Sequence, residues 1–125
     1  PENVRLIGTM NTADRSIALV DHALRRRFAF LALFPKYELL QQYHEKHATG
    51  FQTDLLVNLL EKLNGDIDDR NYQIGVSFFL TKDLTTELEH IWSTEIEPYI
   101  EEYFFDQPKR VEEYRWEKVK DRLSE

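Results

Sequence analysis

The sequence has no cysteine, a single methionine and only four glycines and four prolines in 125 residues. The lack of cysteine excludes a disulfide framework, a thiolate zinc site and a cysteine nucleophile. No apolar run approaches the roughly 18 residues of a membrane-spanning helix. Basic residues number 16 against 23 acidic ones, giving a net charge of −7. A general nucleic-acid-binding surface needs many basic side chains, so we expect any DNA contact to belong to other domains. The lack of cysteine fits a cytoplasmic protein, and the lack of a long apolar run predicts no contact with a membrane.

The first 35 residues carry two apolar runs that are typical of buried strands. Residues 4–10 end abruptly at Asn11, and residues 28–34 are closed by Pro35,. A short helix over about residues 23–27 is predicted between them. Polar side chains at a strand end are well placed beside a ligand crevice. Because the chain begins without Met and a lone strand has no sheet to join, we expect a C-terminal fragment of a larger polypeptide.

The remaining residues, 36–125, have helical periodicity,. We predict helices over about residues 37–48, 54–64, 83–103 and 111–123, with Pro98 kinking or restarting the third and Asn64-Gly65 ending the second. The predicted fold is therefore mostly α. It consists of an α/β remnant, residues 1–35, followed by a helical subdomain, residues 36–125.

Four motifs carry a resemblance to a known family. They are Met-Asn-Thr-Ala-Asp-Arg-Ser (residues 10–16), Asp-x-Ala-Leu-Arg-Arg-Arg-Phe (21–28), Tyr-Gln-Ile-Gly-x-Ser-x-Phe-Leu (72–80) and Ile-Glu-Pro-Tyr-Ile-Glu-Glu-Tyr-Phe (96–104). They resemble the McrB-type GTPases of modification-dependent DNA restriction, which belong to the AAA+ nucleotide hydrolases. The resemblance implies an AAA+ core remnant and a helical lid. Two departures are present: Val76 replaces an expected histidine, and residues 106–116 form a longer link than usual.

The resemblance implies catalytic roles for four residues. Asn11 would be the sensor-1 residue near the γ-phosphate and the attacking water, and Arg26 the arginine finger, supported by Arg27 and Asp14. Taken alone, Asn11 fits a capping loop, Asp14 with Arg15 fits a local ion pair, and the arginines fit a solvated helix end. An arginine that reaches the nucleotide of a neighbouring subunit implies an oligomer.

In the lid, the resemblance implies nucleotide contacts at Gly75 and Ser77. The alternative is that this turn is a simple bend between helices. No metal site is expected, because His44 and His47 lack the i, i+4 spacing of a His-Glu-x-x-His site. The acidic run over residues 95–106 is interpreted as a solvated stripe or as a docking surface for a basic partner.

The parent enzyme implied by the resemblance binds GTP or ATP with Mg²⁺ in a homo-oligomeric ring. It would drive a nuclease subunit of McrC type in 5-methylcytosine-specific restriction. None of the four glycines opens a Gly-x-x-x-x-Gly-Lys-Ser/Thr phosphate loop,, so we expect the fragment alone to be inactive and to bind no cofactor. The alternatives are a non-catalytic AAA-like interaction module and a MoxR-like chaperone ATPase.

Overall fold

The structure is a computed structural model that describes residues 2–11 and 25–124. The chain divides into two compact units, Pro1–Leu33 and Phe34–Glu125. Among the described residues of the first unit, neither predicted strand is formed, and apolar side chains such as Ile7 and Leu33 are more than nine-tenths exposed. A strand needs a hydrogen-bonded neighbour, which the described part of this unit does not supply. The strand prediction is therefore not confirmed.

The regular secondary structure among the described residues of the second unit is all helical, as predicted for a mostly α protein. Two 3₁₀ turns lie at Arg70–Tyr72 and Ser77–Phe79, and a π-helical turn lies at Trp92–Ile96. The α-helices are α1 (Glu38–Lys46), α2 (Thr53–Asp66), α3 (Leu84–Ile91), α4 (Glu97–Tyr103), α5 (Pro108–Glu113) and α6 (Trp116–Arg122).

Helix α2 supplies the central apolar stripe of this unit. Leu56, Leu59, Leu60 and Leu63 recur at helical spacing and are each at most 4% exposed, so one face of α2 is buried against the other helices. The helix does not end at Asn64-Gly65 as predicted but continues to Asp66. Other buried side chains of the core come from every part of the unit: Leu40, Ile67, Ile74, Val76, Phe79, Leu84, Leu88, Trp92, Ile96, Ile100, Phe104, Tyr114 and Val119.

Helices α3 and α4 form one continuous helical run through the π turn, close to the long helix that the sequence predicts. The turn is marked by the N–H of Glu97, which donates to the carbonyl oxygen of Trp92, five residues earlier. Proline has no N–H to donate, and Pro98 lies in the first turn of α4, where that donor is not needed,. The widened turn thus lets the run pass Pro98 without ending.

The single helix predicted over residues 111–123 is wrong, because two helices meet there at a break. Arg115 is extended, with φ −61° and ψ 144°, and its guanidinium pairs with Glu97 and Glu101 on α4. The N–H of Trp116 donates to Glu97 Oε1 at 2.5 Å. These contacts with a distant helix hold the backbone of Arg115 out of helical geometry, so the cause of the break is tertiary.

Candidate functional site

The predicted lid turn at Gly75–Ser77 connects the two 3₁₀ turns of the second unit. Val76 and Phe79 are buried, whereas Ser77 and Phe78 are exposed and Gly75 is half-buried. The turn therefore leaves Ser77 exposed and Gly75 partly exposed. Val76, where the resemblance predicts histidine, is 6% exposed and belongs to the core, so the substitution takes no side chain from the outward face.

The fold does not require glycine at position 75. Its φ does not lie in the left-handed region. A Cβ built there would meet only the Oγ of Ser77, at 3.9 Å, which is an ordinary van der Waals contact. By contrast, Gly50 has a φ of 73° and does need the freedom of glycine,. Gly75 is partly exposed, which is compatible with contact between its backbone and another molecule.

The predicted catalytic residues lie in the first unit. Asn11, Arg26 and Arg27 are exposed, and both arginines occupy a turn directly after the helical residue Arg25. Asp14 lies outside the described residues. Gly75 and Ser77 belong to the second unit, so the predicted site residues fall into two groups.

Sequence reasoning missed Asn64, a residue 2% exposed that binds the segment just before this turn. Its side chain accepts from the N–H of Ile74 at 2.7 Å and donates to the carbonyl oxygen of the same residue at 2.9 Å. One signal could have found it: Asn64 follows Leu60 and Leu56 at intervals of four, which continues the apolar face with a polar residue. A polar side chain on a buried face must find hydrogen-bond partners.

Comparison with known proteins finds a family model that matches part of this helical unit. Residues 55–112 match the family model described as "McrB, alpha-helical lid domain". This region is an McrB-type lid. The chain is also 38% identical, over 129 aligned positions, to the "Type IV methyl-directed restriction enzyme EcoKMcrB subunit" of Escherichia coli strain K12. That alignment covers 91% of this chain but 28% of the relative, so the chain spans less than a third of that protein's length.

Residues 106–116, which are expected to form a longer link than usual, contain helix α5. The acidic run over residues 95–106 does not form a wholly solvated stripe, because two of its members pair with Arg115 at the junction of α5 and α6. The side chain of Glu97 is 17% exposed and lies 3.2 Å from Arg115 Nη1, which also pairs with Glu101. Hydrogen bonds with Glu101 and Glu97 raise the pKa of Arg115. Glu95, Glu102 and Asp106 are exposed, as predicted.

His44 has a structural role in the lid core. It is 3% exposed, and its Nε2 donates to the carbonyl oxygen of Phe79 at 3.0 Å while its Nδ1 lies 2.7 Å from Thr49 Oγ1.

Across residues 2–11 and 25–124, histidine and acidic side chains form no group of three that could hold a metal ion. No helix in that same part of the chain is long and apolar enough for a membrane span.

Alkaline pH is expected to weaken the lid through Tyr99, whose hydroxyl donates to the carbonyl oxygen of Tyr72 at 2.5 Å. Burial, followed by the neighbouring Tyr103 and Tyr72, raises the pKa of Tyr99 from 10.0 to about 12. Because the protonated form is favoured in the folded state, its contribution is complete below pH 10 and is lost as pH rises toward 12,.

The measurement is the free energy of unfolding by urea at several pH values on both sides of this window. The Tyr99→Phe variant should lose less stability across the window than the parent chain, since it has no hydroxyl to ionise at this site. Equal losses in the two chains would contradict the assignment. Burial and the hydrogen bond with Asp66 also raise the pKa of Tyr114, so some alkaline loss is expected in both.

Proposed function

We propose that this chain is the C-terminal part of an AAA+ nucleotide hydrolase that drives modification-dependent DNA restriction. The intact protein hydrolyses GTP, or else ATP, with Mg²⁺ as a homo-oligomeric ring in the cytoplasm. It activates a nuclease subunit of McrC type at DNA that contains 5-methylcytosine, and other domains bind that DNA. One observation carries the proposal: the 38% identity to the restriction-enzyme subunit extends over 91% of this chain, well beyond the lid match itself.

Four residues of the first unit carry the proposed chemistry, two of them in supporting roles. Loss of a γ-phosphate spreads negative charge over its oxygens, and an arginine supplied at that moment stabilises the transition state. Arg26 fills this role at the nucleotide of an adjacent subunit, with Arg27 beside it. Asn11 orients the attacking water, and Asp14, like Arg27, has a supporting role. The exposure of Asn11, Arg26 and Arg27 in their unit is compatible with contacts to a nucleotide and a neighbouring subunit.

The lid contributes the turn at Gly75 and Ser77, which contacts the nucleotide in this proposal. Ser77 is exposed, so its hydroxyl can donate to a phosphate or a base, and Gly75 is partly exposed. The described residues do not fit a magnesium site, because they contain no suitable acidic cluster. We therefore assign magnesium and the phosphate loop to an upstream part of the intact protein and expect the isolated chain to be inactive.

The test compares GTP and ATP hydrolysis by the intact protein, with and without a nuclease subunit of McrC type and methylated DNA. We expect turnover of GTP and stimulation by the nuclease. Preference for ATP without stimulation would instead support the chaperone-like alternative. Absence of both hydrolysis and nucleotide-dependent oligomerisation would leave the non-catalytic interaction module. A variant of the phosphate-loop lysine provides the background rate.

A further inference from the structure

The buried amide of Asn64 is satisfied on every side by neighbouring groups. Its Oδ1 accepts from the N–H of Ile74 at 2.7 Å. Its Nδ2 donates to the carbonyl oxygen of Ile74 and to the hydroxyl of Tyr37, each at 2.9 Å. A buried polar group is costly unless it is paired in this way. Asn64 is therefore bound to one particular residue of the loop, and that residue directly precedes Gly75.

Two hydrogen bonds to the same residue fix the orientation of the backbone on both sides of it. Asn64 contacts the N–H and the carbonyl of Ile74, so neither adjoining peptide can rotate without breaking a buried bond. The neighbouring residues are held as well. Gln73 Nε2 donates to the carbonyl oxygen of Asn64 at 3.2 Å, and Tyr99 donates to that of Tyr72. Helices α2 and α4 thus anchor three consecutive residues just before the turn.

The far side of the turn is anchored too. Val76 packs into the core, and the carbonyl oxygen of Phe79 accepts from His44. Between these anchors, Ser77 and Phe78 are exposed and Gly75 is partly exposed, so these residues can contact another molecule. The turn is consequently presented in one defined position, which suits a binding group that must meet its ligand without reorganisation.

From this geometry we infer that Asn64 is a positioning residue, which fixes the turn of Gly75 and Ser77 where it meets the nucleotide; the inference rests on the function proposed above. Asn64 is 2% exposed, so it cannot contact the ligand itself and acts through Ile74. The turn is distinct from the residues assigned to transition-state chemistry, Asn11 and Arg26. Its displacement should therefore weaken binding of the nucleotide and leave the chemical step largely unchanged.

The experiment measures KM and kcat of nucleotide hydrolysis by the intact protein. Asn64→Ala removes both bonds to Ile74 and should raise KM about tenfold, with kcat little changed, because a misplaced binding group loses affinity. Asn64→Gln keeps the amide but shifts it by one methylene, so it should also raise KM and decides the question if the alanine variant does not fold. Circular dichroism checks folding in each case.

Two further variants separate the inference from the proposed function. Tyr37→Phe breaks only the third bond of Asn64 and should leave KM unchanged. Gly75→Ala should fold normally, since its Cβ meets only Ser77 Oγ at 3.9 Å, yet it should raise KM by crowding the nucleotide.

The outcomes lead to different conclusions. A rise in KM for Gly75→Ala but for neither Asn64 variant would overturn the role of Asn64 and leave the proposed lid contact standing. An unchanged KM for Gly75→Ala would overturn that contact, and the role of Asn64 with it. Equal rises for Asn64→Ala and Tyr37→Phe would show a general effect on the lid, which would also overturn the inference.

Discussion

Arg26→Ala in the intact protein is expected to lower nucleotide turnover about a thousandfold or more, the effect typical of removing an arginine finger. The same variant should recover activity when it is mixed with a second inactive variant that lacks the upstream phosphate-loop lysine. In such a mixture, some interfaces pair an intact Arg26 with an intact phosphate loop on the neighbouring subunit. The measurement is the rate of GTP and ATP hydrolysis by each variant alone and by the mixture.

Two substitutions provide controls for Arg26. Arg25→Ala removes the same charge from the adjacent helical residue and should change turnover little. Arg26→Lys keeps the charge but lacks the planar fork of donors, so it should not restore the rate. If the mixture shows no recovery while both variants fold and assemble together, Arg26 does not act across an interface, and the arginine cluster has a structural role.

The helices of the lid could be predicted because their cause is local. The leucines of α2 recur at helical spacing, and the structure buries that stripe as the pattern indicates,. The run through α3 and α4 was likewise predicted, with Pro98 marking the place where its geometry changes. The two strands were different. Residues 4–10 and 28–34 have the composition of strands, but composition cannot supply the neighbours that a sheet requires.

Other features depend on contacts between residues far apart in sequence, which periodicity does not report. The break at Arg115 is produced by Glu97 and Glu101 on another helix. Asn64 was interpreted as a helix-ending residue, since asparagine followed by glycine is a common stop signal. The structure instead keeps it within α2, where its side-chain amide forms hydrogen bonds with the backbone of Ile74 ten residues later. The position of Asn64 on the apolar face of α2 indicates a buried polar residue, but its partner Ile74 could not be predicted from the sequence.

Trp92→Ala is expected to cost about 3–5 kcal/mol of unfolding free energy, as is typical when a large buried aromatic side chain is truncated. Trp92 is fully buried and packs near Phe79, with ring centroids 6.4 Å apart. Its Nε1 also donates to the carbonyl oxygen of Tyr114 at 2.8 Å. Truncation therefore creates a cavity and leaves a buried carbonyl unpaired. Because domains of this size are stable by only about 5–15 kcal/mol, the loss should be evident in urea unfolding followed by circular dichroism.

Trp92→Phe separates the contribution of the indole hydrogen bond from that of packing, and Trp116→Ala provides a comparison at a less buried tryptophan. Phenylalanine retains most of the apolar contact but removes the indole donor, so Trp92→Phe should lose less stability than Trp92→Ala, and its deficit includes the unpaired Tyr114 carbonyl. Trp116 is only half-buried at the start of α6, so Trp116→Ala should lose less than Trp92→Ala. Equal losses at the two tryptophans would contradict the larger contribution that burial predicts for Trp92. A full loss in Trp92→Phe would show instead that the bond to Tyr114, which joins the α3–α4 run to the junction of α5 and α6, contributes more than packing does.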